Sequence, residues 1–445
     1  MDNRPDSQSE TFSAVAEDRR PKRWIGSIGP GFVYALSVLG TGDIVSNSAA
    51  GASYGYSLMW ALAMALVFRY VWVSTTAKYV LVTGESLLSG YGRVSRWVPL
   101  LVLLSFLPIR HFTNQFVILI MGSSAHMLFP LPTAWSSVIW ACLFTFLGFA
   151  ITFWGSYAMI ELFCKVLVGI MGGSLLIAAL LSNPDPIGIL GGIFLPSLPQ
   201  AQGLYSAGLI VMALIGAEAG STGSLIYAYF IREKGWKDVS FLKQQRFDLA
   251  TGVIALFVMG GLLQIAAAGT IHPLGIQVED PEDLGRIFWE TQGVVGLVAF
   301  SLGLWGAAFS TFIGLNIGFA FVFTDICRNF VPGLKDSGVQ KREGYTPNKD
   351  PLYRWILVFW SFAPIYIVFT DVKPVWLVLM VMAFIVLLIP VLAVCLLWIT
   401  NDESLMGRYR NGWLTNLVLV TLVLIALYLT YERGLDLWND LGGLR

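Results

Sequence analysis

The chain reads as an all-α membrane protein, and three observations predict it. Of its 445 residues 56% are hydrophobic and only 13% charged, about half the charge density of a soluble domain. The apolar residues gather into runs long enough to cross a bilayer, and two of those runs are broken by glycine clusters that carry a carboxylate. A soluble enzyme is excluded by the composition. The balance of 28 Lys and Arg against 28 Asp and Glu leaves no net field to gather nucleic acid.

A bilayer core of about 30 Å takes about 20 apolar residues per helix. Eleven spans meet this requirement, at 27–51, 55–82, 97–121, 134–154, 158–181, 203–231, 249–271, 293–327, 352–370, 374–399 and 412–431. Residues 1–24 form a polar, basic tail without an apolar h-region, so the first span is expected to direct insertion. Cys142, Cys164, Cys327 and Cys395 sit in apolar runs without CxxC spacing and read as packing residues.

Lys and Arg concentrate in the tail (Arg19, Arg20, Lys22, Arg23) and in the sixth-to-seventh connection (Arg232, Lys234, Lys237, Lys243, Arg246). The eighth-to-ninth connection adds Arg328, Lys335, Lys341, Arg342 and Lys349, while the opposite side holds Arg286, Lys373, Arg433 and Arg445. The positive-inside rule then predicts a cytoplasmic N-terminus and, after eleven crossings, an external C-terminus, in an inner or plasma membrane. Glu279, Asp280, Glu282, Asp283 and Glu290 fall on the outer side, where they read as a cation-gathering mouth or as a solvated loop.

In the first span the apolar run is interrupted by Gly40-Thr41-Gly42-Asp43, and in the sixth by residues 216–224, which include Glu218, Gly220, Ser221 and Thr222. Glycine weakens a helix, and a charge at the bilayer centre costs at least about 2.5 kcal/mol on the mildest scale. Both carboxylates are therefore expected to face a protein-lined cavity. The two spans run in opposite directions five helices apart, which is the pattern of an inverted-repeat secondary transporter with its site at the midplane. The expected organisation is a tail (1–24), a first repeat (25–182), a second repeat (183–400) and an eleventh helix with its tail (401–445).

The residues also carry a resemblance. Gly29-Pro30-Gly31-Phe32, "AAGASYGYSLMW" (49–60), "VTGESLLSGYGR" (82–93), "GIFLPSLP" (192–199) and "IPVLAVCLLWITNDESLMG" (389–407) stand in the order found in the NRAMP (solute carrier eleven) family of divalent-metal transporters. The chain resembles that family over about residues 25–431. The resemblance implies a LeuT-type fold of 5+5 inverted helices plus one, with helices 1 and 6 broken, and the metal as cargo with no resident cofactor.

The ion-binding motifs depart from the family. Gly40, Thr41, Gly42 and Asp43 stand in place of Asp-Pro-Gly-Asn, and Gly220, Ser221 and Thr222 in place of Met-Pro-His. Oxygen donors favour Mg, Ca or Mn, whereas a thioether favours softer metals. The expected cargo is therefore a hard divalent cation, Mg or Mn, held by Asp43, Glu218 and Thr222 with help from Thr41, Asn47, Ser221 and freed carbonyls. Arg110 and His111 replace the family's third-span relay, and with the sixth-span His gone, proton coupling is expected to be weak or absent.

Two other readings stay open. Glycine-rich breaks also expose amides that hold organic anions such as amino acids, with Arg69, Lys78 or Arg110 as counter-charge, and a degenerate carrier can act as a non-transporting sensor. No catalytic constellation is present: the histidines are His111, His126 and His272, without an HExxH motif. A monomer without nucleic-acid partners, in contact with membrane lipid, completes the expectation.

Overall fold

Glycines, prolines and short polar caps decide where each helix starts and stops. A computed structural model describes residues 40–154, 157–200, 204–219, 227, 231, 235–331, 333–334 and 350–442. Its principal helices are α1 Thr41–Tyr54, α2 Met59–Thr83, α3 Leu87–Val94, α4 Trp97–Leu128, α5 Ser136–Trp154, α6 Tyr157–Leu181 and α7 Pro186–Phe194. These are followed by α8 Ala207–Ala219, α9 Leu242–Gly269, α10 Pro281–Phe330, α11 Pro351–Phe362, α12 Pro374–Val386, α13 Ile389–Asn401 and α14 Trp413–Gly442.

Local chemistry accounts for the boundaries. Helix α2 ends at Gly84 in the left-handed conformation, its N–H returning to the Val80 carbonyl. Asp350 caps α11 by accepting from the Leu352 N–H. Pro390, in the first turn of α13, cannot donate backward, and the span begun by α12 breaks there. Gly293 (φ 61°) divides α10 into a short first arm and a long second one.

Among the described residues, eight helices are long and apolar enough to cross a membrane, or nine if the bent pair of α6 and α7 counts as one. The expected spans at 27–51 and 203–231 are represented by α1 and α8, which are short because the remainder of each run lies mainly outside the described residues. The outside of the bundle is apolar: Leu143, Phe146 and Leu147 of α5 and Leu417, Leu424 and Leu427 of α14 are exposed. Such a surface is stable only against lipid.

The acidic stretch before α10 is built into the structure. Asp283 Oδ2 accepts the backbone N–H groups of Glu279 and Asp280, and Lys373 pairs with Asp280 at 2.6 Å and with Glu279 at 3.5 Å. These contacts hold the Lys373 ammonium above the usual lysine range, the Asp280 hydrogen bond chiefly. Helix capping and an ion pair thus occupy three of the charges that read as a cation-gathering mouth.

Inside, α10 packs most extensively on α6 and α4, α8 on α12 and α2, and α1 on α9. Two of these crossings bring backbones together. A Cβ at Gly216 would lie 1.8 Å from the Met382 carbonyl oxygen, and one at Gly51 would lie 2.4 Å from the Gln264 carbonyl oxygen. Gly216→Ala must push α8 off α12 and should cost about 1–3 kcal/mol, the range for an overpacked core. The melting temperature of the detergent-purified protein should fall accordingly, whereas Gly191→Ala, which meets nothing within 4 Å, should leave it unchanged.

Candidate functional site

The site forms where α1 begins, beside Glu218 of α8. Gly40 is extended (φ −85°, ψ 167°) and α1 starts immediately after it. Asp43, in the first turn, turns its Oδ2 back to accept the Gly40 N–H at 2.8 Å. A carboxylate there satisfies one orphan donor and meets the positive end of the helix dipole. Glu218 is the penultimate residue of α8 and fully buried; Asp43 is 6% exposed.

Asn47 joins the two. Its Nδ2 donates to the Asp43 backbone carbonyl at 2.8 Å and to Glu218 Oε1 at 3.1 Å, while its Oδ1 accepts from Gln264 Nε2 at 2.9 Å. An ionised carboxylate only accepts, so Glu218 fixes the amide's orientation, and Asn47 in turn fixes that of Gln264. The helix turn brings Asn47 to the Asp43 backbone, and the carboxylate it holds is that of Glu218.

Arg69 of α2 closes the far side. Its Nη1 donates to the Glu218 backbone carbonyl at 3.2 Å and lies 3.5 Å from Glu218 Oε2. The cation thus satisfies the Glu218 backbone carbonyl and pairs with its carboxylate. A charge on a membrane-spanning helix requires a buried partner, and for Arg69 that partner is Glu218. Lys78, nine residues further on, reaches Asn411 Oδ1 at 2.6 Å before α14 and takes no part.

Three more groups complete the surroundings. Thr41 Oγ1 is buried without a hydrogen-bond partner, which leaves an oxygen donor unspent beside Asp43. Thr311 of α10 approaches Gly40, its Oγ1 3.9 Å from where a Cβ would stand. Met382 of α12 packs on Gly42, with Sδ 3.2 Å from the same kind of position. A thioether therefore does stand beside the first break, carried by a helix where sequence reasoning had not sought it.

Of the expected ligands, Gly40, Thr41, Gly42, Asp43, Asn47 and Glu218 come together, while Gly220, Ser221 and Thr222 lie outside the described residues. No group of three or more His, Cys, Asp or Glu side chains suited to a metal occurs among the described residues. Any cation here would draw on two carboxylates plus hydroxyl, amide and carbonyl oxygens. Arg110 and His111 make no contact with this centre: Arg110 donates to Asn316 of α10, and His111 Nε2 lies 3.1 Å from the Tyr366 hydroxyl.

Replacing Arg69 by Met should leave Glu218 buried without its counter-charge, a loss of about 3–5 kcal/mol for a broken buried pair. The double variant Arg69→Met/Glu218→Gln removes both charges and should recover most of it. Thermal unfolding in one detergent measures both, and equal losses in the two would show that the pair is not energetically coupled.

A family model described as natural resistance-associated macrophage protein-like, Nramp, matches residues 31–433. The divalent metal cation transporter MntH of Bacillus subtilis is 22% identical over 424 residues, covering 90% of this chain and 89% of that protein. In structure the chain is similar to the manganese transporter of Eremococcus coleocola, with a TM-score of 0.69 at 16% identity over 93% of this chain and 88% of that one. It is also similar to Mhp1, a nucleobase-cation-symport-1 family transporter with bromovinylhydantoin bound (TM-score 0.57, 10% identity, 90% and 91% covered). The fold is thus the LeuT-type arrangement, and with most of its length matched the chain belongs to the Nramp family.

Proposed function

We propose that the protein is a secondary transporter, not an enzyme, that carries a divalent cation through the gap between α1 and α8. The observation that carries this reading is Asn47, one turn after Asp43 on α1, whose amide donates both to the Asp43 backbone carbonyl and to the buried Glu218 carboxylate, and so brings Glu218 beside the start of α1. Two buried carboxyl groups beside one guanidinium suit a cation and disfavour an anionic solute. Arg69, the expected counter-charge for an organic acid, is already committed to Glu218. The names of the Bacillus and Eremococcus relatives, a divalent metal cation transporter and a manganese transporter, point the same way.

The fold alone does not choose the cargo, because Mhp1 shares it with an organic ligand bound. The donor set does more. Asp43, Glu218, Thr41 Oγ1 and backbone carbonyls are hard oxygen donors that suit Mg or Mn. Met382 Sδ beside Gly42 keeps the softer of the two, Mn, within reach. The metal is cargo, so no resident cofactor enters the reading.

The helix contacts support two repeats at 25–182 and 183–400, with 1–24 and 401–445 outside them. Exchanging each helix for its counterpart converts the α1–α9 contact into α8–α2, α10–α6 into α4–α12, and α9–α6 into α2–α13, and all of these contacts occur. The distribution of Lys and Arg supports a cytoplasmic N-terminus and an external C-terminus in the plasma or inner membrane. The bundle buries its own polar centre, so one chain suffices for a site and a monomer is the simplest unit.

In proteoliposomes the protein should take up Mg or Mn down a gradient, and Asp43→Ala should reduce uptake at least tenfold. Undiminished uptake by that variant would overturn the site, uptake of amino acids in place of metal would favour the organic-solute reading, and tight binding without flux a sensor. A pH dye sealed in the same vesicles should report no acidification that follows metal entry, because the sixth span lacks the family's His. Acidification in proportion to uptake would instead place a proton carrier elsewhere in the protein.

A further inference from the structure

A second polar centre lies in the seam between α4 and α10, and it holds a cation without an anion. Arg110 is fully buried in the middle of α4. Its Nη2 donates to Asn316 Oδ1 at 2.6 Å, and its Cζ stands 5.3 Å from the centre of the Phe319 ring. Nε and Nη1 are buried with no hydrogen-bond partner, and so is Asn316 Nδ2. Asn114 turns its own amide nitrogen to Asn316 Oδ1 and to the Trp360 carbonyl of α11, so it supplies no charge. Among the described residues Arg110 has no ion pair.

A guanidinium cannot shed its proton to escape burial. A ring face and one amide oxygen offset part of the charge, but they leave unspent donors around a full positive charge in a low-dielectric seam. We propose that Arg110 and the Asn316 amide form a binding site for a small monovalent anion of halide size. One uncompensated charge calls for one negative charge; a divalent oxyanion would bring a second with nothing to meet it. Phe319, which faces the guanidinium, packs on Phe106 and Phe323, and Phe323 on Trp360, so rings line this part of the seam.

This site is separate from the broken helices. Thr311 stands beside Gly40, and Asn316 lies five residues further along α10, about 7.5 Å at the helical rise. The proposal therefore does not depend on which solute the central site carries. An anion there ties α4 to α10, which already pack extensively on each other.

The test is thermal unfolding of the full-length protein in detergent, with sodium chloride replaced by sodium gluconate at equal ionic strength. The wild type should melt about 2–5 °C lower without chloride, and chloride or bromide should restore the melting temperature saturably. Asn316→Asp supplies a fixed carboxylate at the atom that already receives Arg110, and should melt at one temperature in both salts. Arg110→Gln should also lose the dependence; if it does not fold, the wild type and Asn316→Asp decide. A wild type indifferent to halide, a halide effect that does not saturate, or one that survives intact in Asn316→Asp overturns the site.

Discussion

Backbone groups buried inside the bundle have to be satisfied by the protein, and the rest of the structure follows from that need. A helix that starts in mid-membrane leaves amides with no water to pair with them. Here Asp43 accepts the Gly40 amide at the start of α1, and Arg69 donates to the Glu218 backbone carbonyl of α8. Each solution introduces a charge, and each charge then needs another group. Glu218 answers Arg69, Asn47 links Glu218 to α1, and Gln264 fixes Asn47 from α9. One chain of polar contacts thus ties α1, α2, α8 and α9 together.

Such a network tolerates little play, and the glycines around it show how the backbone is brought close enough. Gly51 sets α1 against α9 at the Gln264 backbone, and Gly216 sets α8 against Met382 of α12. Gln264 and Met382 are also the residues that reach the site, the first through its amide and the second through its thioether. Close backbone packing and site geometry are therefore one constraint here, because a displaced helix would carry the polar side chain away with it. Small-residue helix packing at these glycines is the means by which the site is assembled.

Much of the fold was legible because bilayer thickness and glycine chemistry are local and leave plain traces in a chain. The spans at 55–82, 97–121, 134–154, 249–271, 293–327, 352–370, 374–399 and 412–431 appear as helices where hydropathy puts them, and Gly40 with Asp43 marks the extended start of α1, while α8 runs as helix through Gly216 to Ala219. The partners were not legible, because hydrogen bonds between α1, α2, α8 and α9 join residues far apart in sequence. Arg69 and Glu218 are 149 positions apart, and no spacing rule connects them. The same limit hid Met382, which reads as an ordinary apolar residue of the tenth span until α12 is laid against Gly42. The acidic stretch at the start of α10 is local as well: Pro281 following Asp280, with Asp283 three residues on, is the signature of a capped helix start.

The balance of charge that looks empty over the whole chain acquires a meaning inside the bundle. Asp43, Glu218, Arg69 and Arg110 sum to zero, but a zero sum over separate places does not lower the cost at any one of them, because desolvation is paid where each group sits. Arg69 resolves its cost locally through Glu218, and Asp43 through the Gly40 amide. Arg110 has only an amide oxygen and a ring. The interior therefore holds a centre with two carboxyl groups and one guanidinium and, five residues further along α10, a seam with a guanidinium alone. The cation proposed for the first and the anion proposed for the second answer the same physical requirement with opposite sign.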